Sequence, residues 1–172
     1  MNRRAMTYLF CIITLFNASH AWAQSEGAQH SIGDLTYSIP LYLEFQEVNV
    51  GGMKWHVYSN EASSVTYSIT YVDMSSFNPD EVVGQLSTYE GTISGLMANE
   101  SFADNLVWEY SEINGQQAIR CTSSGNIDDA TAYLTGVIFS HTDKLYSVQQ
   151  IAVAKSEAAV AEFELIVNSL QF

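Results

Sequence analysis

Positive charge is what this sequence has least of. Six lysines and arginines stand against nineteen aspartates and glutamates, for a formal net charge of −13 over 172 residues. So acidic a surface repels phosphate backbones and anionic lipid, which sets nucleic-acid binding aside. It leaves solubility, or the docking of a basic partner, as readings of the charge. Cysteine is scarce too. Of the two present, Cys11 lies in an apolar stretch at the start, so after removal of that stretch Cys121 stands without an intramolecular partner. No internal disulfide can then staple the fold. Long apolar runs are missing as well. The stretch from Tyr8 to Phe16 is too short to span a bilayer, and no other candidate follows it.

The beginning of the chain reads as an export signal. Arg3 and Arg4 precede the apolar run, and Ala21-Trp22-Ala23 forms a small-x-small cleavage site. Residues 1–23 are therefore expected to be a signal peptide, and the protein to be periplasmic or secreted. Cys11 follows bulky Leu9-Phe10 inside the run, which argues against a lipid anchor. Cleavage after Ala23 would leave four basic residues, Lys54, Arg120, Lys144 and Lys155, against all nineteen acidic ones. Residues 24–34, polar and small, are expected to form a flexible leader, and residues 35–172 a single domain.

Strand character dominates what remains. The stretch from Ala130 to Val153 reads as two long strands joined by the polar cluster His141-Thr142-Asp143-Lys144, and the rest of the chain is expected to be arranged around it. Tyr133, Thr135, Val137 and Phe139 alternate with Leu134, Gly136 and Ile138, so both faces are expected to be at least partly covered. Gly136 suggests a bulge or a close approach. Upstream, a strand from Leu41 is expected to keep one wet face, and Gly51-Gly52 to turn the chain into a second strand from Met53 to Tyr58. Val65, Tyr67, Ile69 and Tyr71 mark a third. Asn114-Gly115 is the signature of a type I′ hairpin turn between Leu106–Glu112 and Gln116–Ser123, with Gly125 to Asp129 as a further turn.

Two helices complete the pattern. Asn78 as N-cap, Pro79 at the first helical position and Glu81 three residues after the cap open the first. Ser156 caps the second, whose inner stripe is expected to run through Val160, Phe163 and Val167, flanked by Ala159 and Ile166. The order is three strands, a helix, four strands and a helix. It predicts an α+β fold with a large antiparallel sheet and helices packed on it.

Four features of this order resemble the PsbP-like domain family, which includes bacterial periplasmic DcrB-like proteins. They are the opening Tyr37-Ser38-Ile39-Pro40 before a strand and the capped helix after Asn78; then the Asn114-Gly115 turn with Ala118 and the long strand pair carrying Tyr146; and the closing helix with Phe163, Ile166, Ser169 and Phe172. The resemblance implies an α-β-α sandwich and a non-enzymatic accessory or binding role. It supplies no catalytic residues. The family's lipid-anchored members differ from this chain, whose leader ends in an Ala-x-Ala site.

Chemistry is hard to place on these residues. Cys121, His141 and Asp128 or Asp129 could in principle form a thiol nucleophile with its base and orienter, but an acidic strand environment disfavours the thiolate. His30, His56 and His141 show no ligand spacing, and Asp128-Asp129 lacks the full pattern of a calcium loop. The chain is read as a non-enzyme without cofactor or metal. Two surfaces could bind instead. On the first helix Gly84, Thr88, Gly91 and Gly95 share one narrow face, a smooth stripe that a partner helix could approach. Trp55, Trp108 and Tyr110 could line an apolar concavity if a strand face is left open. The expected function is an exported accessory module presenting a sheet concavity or helix face to a protein partner. The alternative is a carrier of a small ligand or cation.

Overall fold

The computed structural model describes residues 29–38, 43–50, 53–61, 65–75, 102, 105–127 and 130–172. The helix expected after Asn78, with its glycine stripe Gly84, Thr88, Gly91 and Gly95, lies outside the described residues, as do Asp128 and Asp129.

A seven-stranded antiparallel sheet carries the fold. Its strands are β3 (Glu44–Val50), β4 (Met53–Glu61), β5 (Val65–Asp73), β6 (Val107–Ile113), β7 (Gln116–Ile127), β8 (Ala130–His141) and β9 (Lys144–Ala152). In space they run β3-β4-β5-β9-β8-β7-β6. Each of the meanders β3–β4–β5 and β6–β7–β8–β9 is built from neighbours in sequence. They join where β5 pairs with β9, from Val65 opposite Ala152 to Asp73 opposite Lys144. The expected β8–β9 hairpin is thus at the middle of the sheet. Asn114 and Gly115, at φ 49° and 83°, make the left-handed pair that a type I′ turn requires.

Several boundaries differ from expectation, each for a local reason. β7 continues to Ile127, because Gly125 and Asn126 stay paired with Ala132 and Thr131 instead of turning. Gly136 is in register with Cys121 and Gln149 and forms no bulge. β3 begins at Glu44; Leu43 just before it is buried, but Phe45, expected on the same covered face, is exposed along with Glu44 and Gln46. The leader expected over residues 24–34 overlaps a hairpin of β1 (Gln29–Ile32) and β2 (Leu35–Ser38), which buries Ile32, Leu35 and Tyr37.

Both faces of the sheet centre are covered, as the alternation in β8 predicts. The helix face carries Tyr67, Ile69, Val137, Phe139, Tyr146 and Val148, packed with the β1–β2 hairpin and with α1 (Glu157–Ser169). The far face carries Trp55, Val57, Val72, Ile119, Leu134 and Ile138, with Met74 and Phe102 against them. It also buries Ser68, Thr70, Ser147 and Gln149, and Gln149 Nε2 donates to Ser147 Oγ at 2.9 Å.

Helix α1 begins where Ser156 Oγ accepts from the Ala159 N–H at 3.4 Å, as expected of a cap. Its buried stripe is Ala159, Phe163, Ile166 and Val167, while Val160, expected inside, is 44% exposed. The stripe leads into a chain end that is tied down. Leu170, just past the helix, is fully buried, and its carbonyl accepts from Asn114 Nδ2. Gln171 then exchanges backbone hydrogen bonds with Thr36 at 2.8 and 2.9 Å. Phe163→Ala is expected to destabilise the fold by about 3–5 kcal/mol, the usual cost of emptying a fully buried phenylalanine site, whereas Val160→Ala should stay within about 0.5 kcal/mol. Urea unfolding of the two variants checks this, and equal losses would contradict the observed stripe.

Candidate functional site

The three aromatic residues expected to line one concavity do not all meet. Trp55 is buried on β4, and four strands separate it from β6, a distance of roughly 24 Å at ordinary strand spacing. Trp108 and Tyr110 do come together on β6, with ring centroids 5.4 Å apart in an edge-on pair, and are 40% and 55% exposed. They stand on an outer strand of the sheet, far from Trp55. Trp55 Nε1 is buried with no hydrogen-bond partner among the described residues.

The structure also separates the residues of the thiol reading. Cys121 is on the far face, opposite Gly136, while His141 is on the helix face, stacked on Phe172 at 4.8 Å. Burial pushes the Cys121 thiol up to about 12, which keeps it protonated at neutral pH. Among the described residues no three histidine, cysteine or carboxylate side chains gather as a metal site.

Two arrangements that the sequence reading missed organise the helix face. The first is a row of rings crossing five strands. Phe45 on β3 is 4.9 Å from Tyr58 and 5.9 Å from His56, both on β4. His56 lies flat on Tyr71 of β5 at 4.4 Å, with 3° between their planes. Tyr71 meets Tyr146 of β9 at 5.6 Å, and Tyr146 stacks on Phe139 of β8 at 5.4 Å. Register produces the row, since His56, Tyr71, Tyr146 and Phe139 stand directly opposite one another on successive strands. Burial falls along it, from fully buried Phe139 and Tyr146, through half-buried Tyr71, His56 and Tyr58, to Phe45 at 54% exposure. Burial raises the hydroxyl pKa of Tyr58, Tyr71 and Tyr146, so all three remain neutral donors or acceptors.

The second is a polar strap that holds the β1–β2 turn against the β8–β9 turn. Gly33 takes φ 59° there, and a Cβ on it would lie 2.8 Å from Tyr146 Oη, so the position suits glycine on both counts. Tyr146 Oη accepts from the Asp34 N–H at 3.1 Å. The Asp34 carboxylate pairs with Lys144 and lies 3.0 Å from the Thr142 hydroxyl. Thr142 sits at φ 52°, where β-branched residues are rare, and its hydroxyl can donate to Asp34 or to its neighbour's carbonyl, His141 O at 2.6 Å. The hydrogen bonds from Lys144 and Thr142 hold the Asp34 carboxyl below its ordinary range, and Asp34 holds Lys144 above its own. Elsewhere on the helix face, Arg120 of β7 pairs with Glu164 of α1.

A pocket of about 290 Å3 opens between the start of α1 and β7–β9, lined in part by Thr122, Tyr133, Thr135, Gln150, Lys155 and Ser156. Gln150 is committed inside it, donating to Tyr67 Oη at 3.1 Å and to Ala159 O at 2.8 Å.

No family model matches this chain, and no curated protein matches it. A crystal structure of PA94, a protein of unknown function from Pseudomonas aeruginosa, is similar at a TM-score of 0.41 and 9% identity, over 81% of this chain and 90% of that one.

The strap yields a pH signature. Asp34 has a lowered folded pKa, so its contribution is complete above the ordinary value of 3.8 and is lost as pH falls through the folded value. Lys144, raised in the fold, keeps its contribution until pH climbs beyond its ordinary 10.5. Asp34→Asn is therefore expected to lower Tm at pH 7 by no more than ~4 °C, since the pair is exposed. Thermal melts should show the gap to the parent closing as pH is taken below 3.8; a gap that persists in acid would assign the loss to packing rather than charge.

Proposed function

We propose that this chain is an exported, non-catalytic binding module of the cell envelope, working by presenting a sheet edge to a protein partner. The observation that carries the reading is the composition of β6. Val107, Trp108 and Tyr110, within four residues of an outer strand, are 66%, 40% and 55% exposed. Single exposed apolar residues are ordinary, but aromatic residues gathered on a strand at the sheet margin are what partner anchors are made of. The PsbP-like sandwich and the periplasmic or secreted location belong to the same proposal. They rest on the sequence resemblance and the export signal, and a seven-stranded antiparallel sheet with α1 on one face is compatible with them.

The pocket beside α1 favours a second reading, a small-ligand carrier, because its lining mixes hydroxyls, an aromatic ring and one cation with apolar Leu134, Ala152 and Val160.

Affinity capture from envelope extract, at low and high salt, separates the two. The double variant Trp108→Ser/Tyr110→Ser is expected to keep its Tm within about 4 °C of the parent while weakening capture of the partner by about 2 kcal/mol or more, some thirtyfold. Equal recovery with parent and variant would remove β6 from the reading. Recovery of no partner, together with a small molecule retained by the protein in native mass spectrometry, would replace the module with the carrier.

A further inference from the structure

We propose that β3, the opposite edge, takes an extended basic segment of the partner as an added strand. This deepens the binding-module reading and rests on it.

Among the described strands β3 borders β4 alone. Val50 stands opposite Met53 across a two-residue connection, and such a connection closes on a hydrogen-bonded pair. Alternation then points the backbone groups of Val48, Gln46 and Glu44 at β4. Asn49, Glu47 and Phe45 turn theirs outward, and all three side chains are exposed. An incoming strand would find three residues' worth of donors and acceptors at ladder spacing, as in strand-addition recognition.

The side chains specify what would come. Asn49, Glu47 and Phe45 lie on the helix face, where Phe45 ends the ring row at its exposed tip. A residue placed opposite Phe45 prolongs that row by one step, so an apolar or aromatic side chain fits there. Two residues on, the partner meets Glu47, whose carboxylate is 3.1 Å from exposed Lys54. Glu44 adds a second exposed carboxylate on the other face. A lysine or arginine opposite Glu47 would share that carboxylate with Lys54, and the net charge of −13 draws a basic segment to this edge.

A second copy of the chain fits less well. The antiparallel register that engages all three outward residues places Glu47 opposite Glu47 of the other copy. Like charges directly opposite destabilise a strand pair, and two strongly acidic molecules repel each other besides.

The probe is a capped peptide as long as β3, seven residues, alternating threonine with phenylalanine and lysine. Two controls accompany it: the same peptide with glutamate for lysine, and one N-methylated at the residues that would bond to β3. Amide shifts of the isotope-labelled full chain report where each binds. The lysine peptide is expected to perturb β3 and β4, and to lose about tenfold or more in affinity with either control. Asn49→Pro, which removes an outward N–H without changing charge, should weaken the peptide similarly. Where that variant does not fold, the N-methylated peptide decides alone. Equal binding of the N-methylated peptide would reduce the contact to electrostatics and overturn strand addition. Equal binding of the glutamate peptide would overturn the basic partner. Dimerisation in sedimentation that Asn49→Pro abolishes would make the second copy the occupant. No binding, or shifts confined to β6, overturns the assignment of β3 but leaves the module reading standing if capture through Trp108 and Tyr110 succeeds. Failure of both sinks the two together.

Discussion

The seam between β5 and β9 is the contact on which the rest of this structure depends. Each meander could form from neighbours in sequence, but only this long-range pairing makes one sheet of them. Tyr146 sits at the seam with no exposure. It faces Tyr71 across the join, stacks on Phe139 within its own meander, and accepts the Asp34 N–H from the hairpin above. One side chain thus links both meanders and the strap. Its ring needs apolar neighbours and its hydroxyl needs a partner, and the glycine at 33 is what lets the hairpin come near enough to supply one.

From that centre, burial falls off toward the margins of the sheet. The middles of β8 and β9 are covered on both faces, with residues 136–139 and 145–150 buried without a break. The margins are different. β3 and β6 each pair on one side among the described strands, and each exposes aromatic side chains that the centre would have buried. A fold that covers its middle so fully leaves its edges as the places where backbone and apolar surface coincide. On the proposed reading, that is the physical reason for seeking the partner at the edges.

Much of the core could be read from alternation. The two faces of β8, the split of Ile119 and Cys121 from Ala118 and Arg120 on β7, and the Asn114-Gly115 turn all follow from period-two patterning and turn chemistry. The Ser156 cap was equally plain. What escaped were features that depend on register between distant segments. Nothing local says that His56 will lie on Tyr71, or that Asp34 will reach Lys144, because each contact needs the seam first. Trp55 and Trp108 looked alike as strand tryptophans, yet one entered the core and the other an edge, since strand order is not written within either strand. Val160 was misplaced for a related reason. The helix's placement also involves contacts of Leu170 and Gln171, beyond the helix itself.

The scarcity of positive charge gains a structural meaning at the edges. An exposed strand margin is a template for pairing with any chain, including another copy of itself, and carboxylates on that margin are one way to blunt it. Glu44 and Glu47 on β3, and Glu109 and Glu112 on β6, stand where that discouragement is most needed. The same charges do not discourage every strand equally. They penalise acidic partners and copies of this chain, and they favour a basic segment. On the proposed reading, the composition that keeps two exposed edges from self-association is also what selects the partner, so solubility and specificity come from the same few carboxylates.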